Sequence, residues 1–511
     1  MTQTSKRIEI ISSFLLSILA MIINYAIQIL LTPYITNHLG TDAYGFVSLA
    51  KTISNYGIVI TSCLNAYASR FITVEYCKDN KSKSNAYYSS VVIANFVLLL
   101  LVLVFDVIFT IKIECFLNIP NELLYDVKNL FFLDILNYMV LALGNTFSVY
   151  AYVKNKLSRL NVVRIISYSV EALILFILMV KIEPQLFYVG IALIVSSSTL
   201  FFLNFGLSKK YIYDLEISCK HFSFKAVREL IGAGIWSSIN QMGNLLNSGL
   251  DLLVSNLMLS AVAMGELSIV KTVSTILSTL AQLFSSPFQP LLLKSYSKND
   301  KEEVVSTLNK QININGFIVC VVLAGVIGVG KSYFRLWTPN ENVELLYGIA
   351  IVTAVGFVFE GMATPLFYTY TLTLHNRIPC VVTVISGFLN VVGMYCLLKF
   401  TSIGLYGVVG TTSVLGMITF GVFTPIYSSH CLGVKRHVFF PSMFKILICS
   451  IVLSLMTCLI RLDNYATTWF RFVMISILIC LISAIAYFII VLSNSDKVKI
   501  FKYIKNKFIH E

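Results

Sequence analysis

The ionisable side chains that could do chemistry in this sequence lie inside long apolar runs rather than in polar loops. An ionisable group near the centre of a bilayer costs about 2.5–3.5 kcal/mol on insertion scales, so each one needs a partner or a water-filled cavity. Cations there would bind an anionic ligand through charge-assisted hydrogen bonds, whereas carboxylates would carry coupling protons or bind cations. The candidates are the cations Lys51, Arg70 and Lys271, the carboxylates Glu171, Asp251 and Glu360, and the amides Asn24 and Asn244.

The apolar runs dominate the composition, which excludes a soluble globular protein. Of the 511 residues, 57% are hydrophobic and 12% are charged, and the mean hydropathy is +0.81. Soluble domains carry about 25% charged residues. The net charge of +13 would indicate nucleic-acid binding only if the basic residues shared one soluble face. They occur instead in short clusters between apolar runs, so the sequence predicts an all-α polytopic membrane protein that binds no nucleic acid.

Transmembrane helices need about 20 apolar residues each, and the sequence contains about fourteen such segments. Lysine and arginine concentrate in alternate connections, with about 25 on one side of the membrane and about seven on the other. Because positively charged loops stay in the cytoplasm, both termini are predicted to be cytoplasmic. The predicted segments are 9–32, 43–73, 87–111, 127–153, 162–181, 186–206, 231–257, 264–292, 311–337, 345–372, 379–399, 405–428, 441–460 and 469–492.

An internal repeat relates the two halves of the chain. The segment Tyr44–Ser54 recurs as Met264–Ser274, and the Gly, Ser, Lys, Thr and Ser positions are identical. Lys51 thus corresponds to Lys271, and the same offset places Asn24 on Asn244. Since the repeated helices are six helices apart, the halves share one orientation, as in transporters with a central site between two lobes. The predicted divisions are an N-lobe at 1–220 (helices 1–6), a C-lobe at 221–440 (helices 7–12), and helices 13–14 with a basic cytoplasmic tail at 441–511.

Two short segments resemble a known family. The stretch Thr32–Gly45 and the small-residue-plus-arginine end of helix 2, Asn65–Arg70, resemble the start of Wzx-type polysaccharide flippases, and Leu336–Thr338 extends the resemblance weakly. These flippases belong to the MATE-like multidrug/oligosaccharidyl-lipid/polysaccharide exporter superfamily. The resemblance implies two six-helix lobes plus two C-terminal helices. It also implies translocation of undecaprenyl-pyrophosphate-linked oligosaccharide units from the inner to the outer leaflet of a bacterial plasma membrane, for O-antigen or capsule synthesis.

The candidate cations differ in how well a purely structural role explains them. Lys51 lies about 12 Å from the outer end of helix 2, a depth at which snorkelling to the interface is strenuous. A structural role is available to Lys271, because Asp251 lies at a similar height on the adjacent helix and the two would form an ion pair. The position equivalent to Asp251 is Leu31, so Lys51 lacks that partner. Arg70 either anchors the inner interface or, as the resemblance implies, binds substrate.

The candidate carboxylates also have two interpretations. Glu171 and Glu360 lie near mid-bilayer, where they would pair with cavity cations, carry coupling protons, or be kept protonated by burial. Asp134 and Glu266 lie nearer the outer ends of their helices and are expected at the membrane interface.

Several motifs are expected to be accidental. Gly325–Ser332 satisfies the phosphate-loop pattern G-x-x-x-x-G-K-S, but that motif binds phosphate only between a strand and a helix. Here it closes an apolar helix at the predicted outer face, so no nucleotide is expected. The histidines lie in loops or tails without metal-ligand spacing, so neither a metal nor another cofactor is predicted. The tail Lys497–Phe508 is predicted to be an amphipathic helix on anionic lipid. The histidines are His38, His221, His375, His430, His437 and His510.

The leading hypothesis is a flippase that works by alternating access and performs no covalent chemistry, a transporter and not an enzyme. Its expected partners are the undecaprenyl-pyrophosphate-linked oligosaccharide, membrane lipid and a polysaccharide polymerase. The first alternative is a MATE-type cation-coupled exporter of small organic cations, although the repeated intramembrane residue is lysine. A membrane-embedded glycosyltransferase or polymerase would need a larger exposed loop, and a structural scaffold would not require buried charges.

The orientation is testable with reporter fusions. Fusions after Asn299 and after Ser495 should report the cytoplasm, and a fusion after Asn342 should report the outside, because the lysine-rich connections stay inside. An outside signal at Asn299 would invert the second half of the predicted topology.

Overall fold

The computed structural model describes residues 3–492 and Lys497, and this part of the chain is helical without a β-strand. The amphipathic helix predicted at Lys497–Phe508 therefore lies outside the described residues, apart from Lys497. The helices of the first half are α1 Gln3–His38, α2 Thr41–Cys77, α3 Lys81–Ile111, α4 Leu124–Thr146, α5 Val149–Val153, α6 Leu157–Leu175, α7 Tyr188–Tyr211, α8 Phe224–Asn244 and α9 Leu250–Met258. Those of the second half are α10 Ala261–Ser285, α11 Gln289–Ser297, α12 Lys301–Trp337, α13 Val343–Ala363, α14 Phe367–Leu372, α15 Arg377–Phe400, α16 Leu405–Ile418, α17 Thr424–Leu432, α18 Phe440–Ile460 and α19 Trp469–Ile490.

Helix boundaries follow local capping chemistry. The side chain of Asn80 accepts a hydrogen bond from the Lys83 backbone N–H at the start of α3. The Asp300 and Asn342 side chains do the same for α12 and α13. Each cap satisfies one of the N–H groups that a first helical turn leaves without a partner. Gly433 ends α17 in the left-handed conformation that a residue without Cβ adopts readily.

Thirteen helical segments in the described residues are long and apolar enough to cross a membrane. The predicted segment 231–257 is not among the thirteen. The structure forms it as α8 and α9 joined by a π-helical turn, Leu245–Gly249. Polar residues in its middle, Asn240, Gln241 and Asn244, lower its hydropathy. The polytopic all-helical fold class predicted from the sequence is confirmed.

The chain forms two compact units, Met1–Ser268 with Thr383–Phe388, and Ile269–Val382 with Leu389–Glu511. In the first unit α2 packs against α8 and α3, α4 against α7, and α6 against α1 and α7. In the second unit α12 is central, because α13, α18 and α19 all pack against it around a buried apolar core. The lobe boundaries inferred from the repeat, after residues 220 and 440, stay a prediction.

Within the first unit, the two repeated glycines meet each other. A Cβ added at Gly45 would stand 2.9 Å from the backbone nitrogen of Gly265, and one added at Gly265 would stand 2.1 Å from the carbonyl oxygen of Thr41. A second close approach lies further along α2, where a Cβ added at Gly234 of α8 would stand 2.0 Å from the carbonyl oxygen of Cys63. Small residues let helix backbones approach closely where lipid provides no hydrophobic drive. The repeated glycine is therefore required by packing.

This contact gives a stability prediction. Gly265→Ala should lower the free energy of unfolding by about 1–3 kcal/mol, because the new methyl group meets backbone that cannot move aside. Gly325→Ala is the matched control, since nothing lies within 4 Å of the added Cβ. In that helix interior the control should be neutral or stabilise by up to about 1 kcal/mol. Thermal unfolding in detergent measures both, and equal midpoints for the two variants would contradict the packing argument.

Candidate functional site

The candidate site in the first unit is built around Lys51, which α2 holds about 15 Å along its axis from Thr41. The charge of Lys51 acts on two carboxylates, Asp134 of α4 and Glu171 of α6. No ion pair closer than 4 Å is formed by Lys51 within the described part of the chain. Its ammonium group therefore acts on both carboxylates without forming an ion pair with either.

Asp134 is buried against α2 within the first unit, and its expected depth near the outer end of its helix stays a prediction. Only 1% of the residue is exposed. Its Oδ2 accepts a hydrogen bond from Ser54 Oγ at 2.5 Å, and its Oδ1 accepts one from Asn137 Nδ2 at 3.4 Å. Ser54 lies one turn beyond Lys51 on α2, so one helix supplies both a hydrogen-bond donor and a charge. These partners offset the cost of removing the carboxyl group from water.

Glu171 is buried on α6, and its expected depth near mid-bilayer stays a prediction. It is hydrogen-bonded to Ser196 of α7, which also exchanges hydrogen bonds with Ser167 one turn earlier on α6. Lys51 does lack an acidic residue at the position equivalent to Asp251. The structure supplies acidic neighbours from α4 and α6 instead, and sequence comparison of the repeats gave no signal for them.

Asp106 of α3 extends this acidic region and was missed by the sequence analysis. It is 6% exposed, and its charge interacts with that of Asp134. Its Oδ1 accepts a long hydrogen bond, 3.5 Å, from Thr110 Oγ1, whereas its Oδ2 is buried without a hydrogen-bond partner among the described residues. The signal that could have identified it is an aspartate inside the apolar run 87–111.

Asn24 lies beside the same region, where α1 packs against α6. Its Oδ1 accepts a hydrogen bond from Gln28 Nε2 at 2.7 Å, and its side chain is hydrogen-bonded to Tyr168. The charges of Arg164 and Glu171 both act on Tyr168. Arg164, Tyr168 and Glu171 follow the i, i+4, i+7 spacing of one helix face. This face of α6 therefore carries polar groups from its second turn to its last turns.

Three other predicted residues of the first unit do not join this cluster. Arg70 is exposed on α2, about 28 Å further along the helix than Lys51. Asn244 is exposed in the last turn of α8. Asp251 is buried on α9, where its charge acts on Tyr56.

In the second unit, Lys271 and Glu360 occupy α10 and α13. Glu360 is half-buried and hydrogen-bonded to Ser278, which lies two turns beyond Lys271 on α10. Because Asp251 belongs to the first unit and Lys271 to the second, their predicted ion pair stays a prediction.

The phosphate-loop pattern lies inside α12, not in a loop. Its backbone N–H groups belong to a continuous helix from Lys301 to Trp337 and cannot surround a phosphate. Lys331 pairs with Glu344, and Ser332 donates from its N–H to Asp463 Oδ1 and from its hydroxyl to the Asp463 carbonyl oxygen, both at 2.8 Å. Within the described residues, no group of three or more His, Cys, Asp or Glu side chains is arranged to hold a metal.

Comparisons with known proteins relate this chain to a polysaccharide biosynthesis family and to membrane proteins of similar fold. A profile for the family described as "Polysaccharide biosynthesis protein" matches residues 10–290. The membrane protein EpsK of Bacillus subtilis (strain 168) is 29% identical over 427 residues, 84% of each chain. The lipid II flippase MurJ, in an inward closed conformation, superposes with a TM-score of 0.67 at 16% identity, covering 94% of this chain and 97% of that one. An inward-facing MATE family transporter of the MOP superfamily superposes with a TM-score of 0.64 at 14% identity, covering 81% of this chain and 96% of that one. The chain therefore has the MATE-like fold.

The accidental phosphate loop gives a prediction. Lys331→Ala should change the free energy of unfolding by no more than about 1 kcal/mol, the usual range for an exposed ion pair. Glu344→Ala removes the same pair and should have an effect of the same size. A fluorescent ATP analogue should bind neither variant nor the unmodified protein. Saturable binding that Lys331→Ala abolishes would restore the nucleotide interpretation.

Proposed function

Because this chain belongs to the polysaccharide biosynthesis protein family, we propose that it is a flippase for undecaprenyl-pyrophosphate-linked oligosaccharides. The family match confirms the resemblance seen in Thr32–Gly45. The proposed reaction moves the repeat unit from the inner to the outer leaflet of a bacterial plasma membrane, with both termini of the chain in the cytoplasm. It would serve the synthesis of O-antigen, capsule or another surface polysaccharide, with a polysaccharide polymerase as a further partner.

The observation that supports the proposal is that Lys51, on a helix long and apolar enough to cross a membrane, forms no ion pair with any residue that the structure describes. A pyrophosphate head group is anionic and strongly hydrated, so hydrocarbon excludes it. The Lys51 ammonium, which lies near Asp134 and Glu171 without a direct pair to either, can supply charge-assisted hydrogen bonds in place of water. A lysine locked in a short ion pair would have no such capacity.

The polar face of α6 supports a route from the cytoplasmic side to Lys51. Arg164 is half-buried in α6, about 10 Å beyond its first residue, and its guanidinium donates a long hydrogen bond, 3.5 Å, to the Asn161 amide oxygen. Beyond it come Tyr168 and the hydrogen-bonded amides of Asn24 and Gln28. These groups offer successive hydrogen bonds to phosphate and sugar hydroxyls.

The rest of the substrate is apolar and matches the outer surface of the helices. Large apolar side chains are widely exposed along them, for example Phe105 at 73% and Leu459 at 81%. Such residues contact lipid in a membrane protein. The prenyl chain would therefore stay in lipid while the head group passes through the protein. Movement of the predicted lobes, 1–220 and 221–440, would expose the site to each side in turn.

The second candidate is a MATE-type cation-coupled exporter of small organic cations. One observation favours it: the charge of Lys51 acts on two buried carboxylates, Asp134 and Glu171, and a third buried carboxylate, Asp106, acts on Asp134. A cation exporter would use those carboxylates for its substrate, and Lys51 would then oppose binding. The two candidates therefore predict opposite effects of removing Lys51: weaker substrate binding by a flippase and stronger substrate binding by a cation exporter.

Removing the charge of Lys51 separates the candidates. Lys51→Ala should reduce affinity for the lipid-linked sugar about 10- to 150-fold, because one charge-assisted hydrogen bond is worth about 1.5–3 kcal/mol. Lys51→Arg should restore part of the activity, since arginine keeps the charge but changes donor geometry. The measurement is accumulation of lipid-linked repeat units on the cytoplasmic side of a complemented strain.

The matched control is Lys399→Ala, which removes an exposed lysine from the last turn of α15. It should leave export unchanged at equal expression. Wild-type export by Lys51→Ala would reject the cationic site, and increased export of organic cations by that variant would favour the second candidate.

A further inference from the structure

Helix α8 carries a strip of neutral polar side chains, although it belongs to a predicted membrane-spanning segment. Asn244 is exposed, and Ser237, Asn240 and Gln241 are half-buried. We call these four residues the polar strip, because they lie within about 100° of one another around the helix. Among the described residues, none of the three amide side chains forms a hydrogen bond. The polar strip therefore offers hydrogen-bonding groups that this part of the chain does not use.

The opposite side of α8 is exposed and apolar, and it is centred about 150° around the helix from the polar strip. The exposed apolar residues on that side are Ile231, Ile235 and Met242. The two sides in between are packed. Ser238 is hydrogen-bonded to Ser62 of α2 at 2.8 Å, and a Cβ added at Gly243 would stand 2.8 Å from Thr383 Cγ2. Lipid contacts the apolar side, and amides facing hydrocarbon would bear the full cost of desolvation, so the polar strip faces water.

Two contacts fix the register of this segment against α2. Ser238 is hydrogen-bonded to Ser62, whereas a Cβ added at Gly249, just beyond the end of α8, would stand 3.5 Å from Thr52 Cγ2. Residues later in the α8 segment thus contact residues earlier in α2. The two helices therefore run antiparallel within the first unit.

This register places Lys51 close to the polar strip. Asn244 lies level with Tyr56 of α2, so Lys51 is about 8 Å further along the axis at 1.5 Å per residue. Asn55 is exposed one turn beyond Lys51. On each helix the polar face precedes the α2–α8 contact by roughly 80–100°, and in an antiparallel pair two such faces lie on the same side. Lys51, Asn55 and the polar strip therefore face one space within the first unit.

The chemistry of the polar strip suits the hydroxyl groups of a sugar. An amide side chain both donates and accepts hydrogen bonds, and so does a hydroxyl group. From Leu230 to Leu250 the sequence has no charged residue, so this surface offers no ion to a phosphate. A pyrophosphate bound at Lys51 would carry its sugar on an adjoining oxygen, within reach of groups about 8 Å away.

We infer that Gln241 and Asn244 of α8, together with Asn55 of α2, bind the sugar ring attached to the pyrophosphate. This inference rests on the proposed function, in which Lys51 binds the pyrophosphate itself. The site then has two parts, a cation for the anionic group and neutral amides for the first sugar. The amides replace the water that hydrates the sugar hydroxyls, so the head group keeps its hydrogen bonds inside the protein.

The experiment compares two probes of equal charge on the full chain in detergent. One is farnesyl-pyrophosphoryl-N-acetylglucosamine, and the other is the farnesyl methyl diester of pyrophosphate, in which a methyl group replaces the sugar. The ratio of their dissociation constants isolates the contribution of the sugar. The unmodified protein should bind the sugar probe about 10- to 100-fold more tightly, as two or three neutral hydrogen bonds would give.

Leucine variants test which residues supply that contribution. Gln241→Leu and Asn244→Leu remove the amides, and leucine keeps a similar size and favours the helix. Each should weaken binding of the sugar probe about 3- to 10-fold and leave the affinity for the methyl probe unchanged. The triple variant that adds Asn55→Leu should bind both probes equally. Lys51→Ala should weaken binding of both probes by the same factor.

The matched control is Asn121→Leu, which removes an exposed amide from the connection between α3 and α4. It should keep the full preference for the sugar probe. Binding of the methyl probe shows in every variant that the protein is folded. If the triple variant fails to fold, the single variants give the same test.

The outcomes separate this inference from the proposed function. Equal binding of the two probes by the unmodified protein overturns the inference and leaves the proposed flippase function standing. A sugar preference that persists in the triple variant also overturns it, as does loss of the preference in the control. Absence of binding of either probe overturns the proposed function together with the inference.

Discussion

The cost of placing charge in hydrocarbon is the constraint on which this structure depends. Lys51, Asp134 and Glu171 come from three different helices, yet none could remain ionised in the membrane without the others or without water. Serine hydroxyls on α2 and α7 complete their hydrogen bonding. Because each helix supplies only one member of the group, the electrostatic balance is a property of the packed helices. Packing and charge compensation are therefore achieved together.

Close helix approach is the second requirement, and the repeated glycine meets it. Gly45 and Gly265 lie at equivalent positions of the two repeats and contact each other through their backbones. Lys51 and Lys271 follow each glycine at the same distance along α2 and α10. A residue with a larger side chain at either glycine would separate the two helices at this point and shift the register of the lysines. The spacing from glycine to lysine is identical in the two repeats, so the packing contact at the glycine fixes the position of the lysine.

Two features of the first unit, the lysine Lys51 and the buried carboxylates Asp134 and Glu171, suggest ligands of opposite charge. The repeated lysine favours the anionic substrate that we propose, whereas the excess of buried acidic residues is what a cation site would contain. Under the proposed function, Lys51 would bind the anionic head group, while hydrogen bonds with Ser54 and Ser196 offset the burial of Asp134 and Glu171.

The sequence by itself determined the membrane-spanning class, nearly all the spans, the repeat and the family, and it singled out Lys51 and Glu171. These follow from local properties, namely apolar length and the lysine pattern, which each segment carries without reference to its neighbours. It gave no indication that Asp134 is buried against Ser54, and it did not identify Asp106. It rejected the phosphate-loop pattern at Gly325–Ser332 only because of the predicted helix around it. Only the tertiary structure decided which charges meet, because the rotation and height of one helix against another depend on packing between residues far apart in the chain. Hydropathy gives the depth of a residue along its own helix, but not the side chain that faces it.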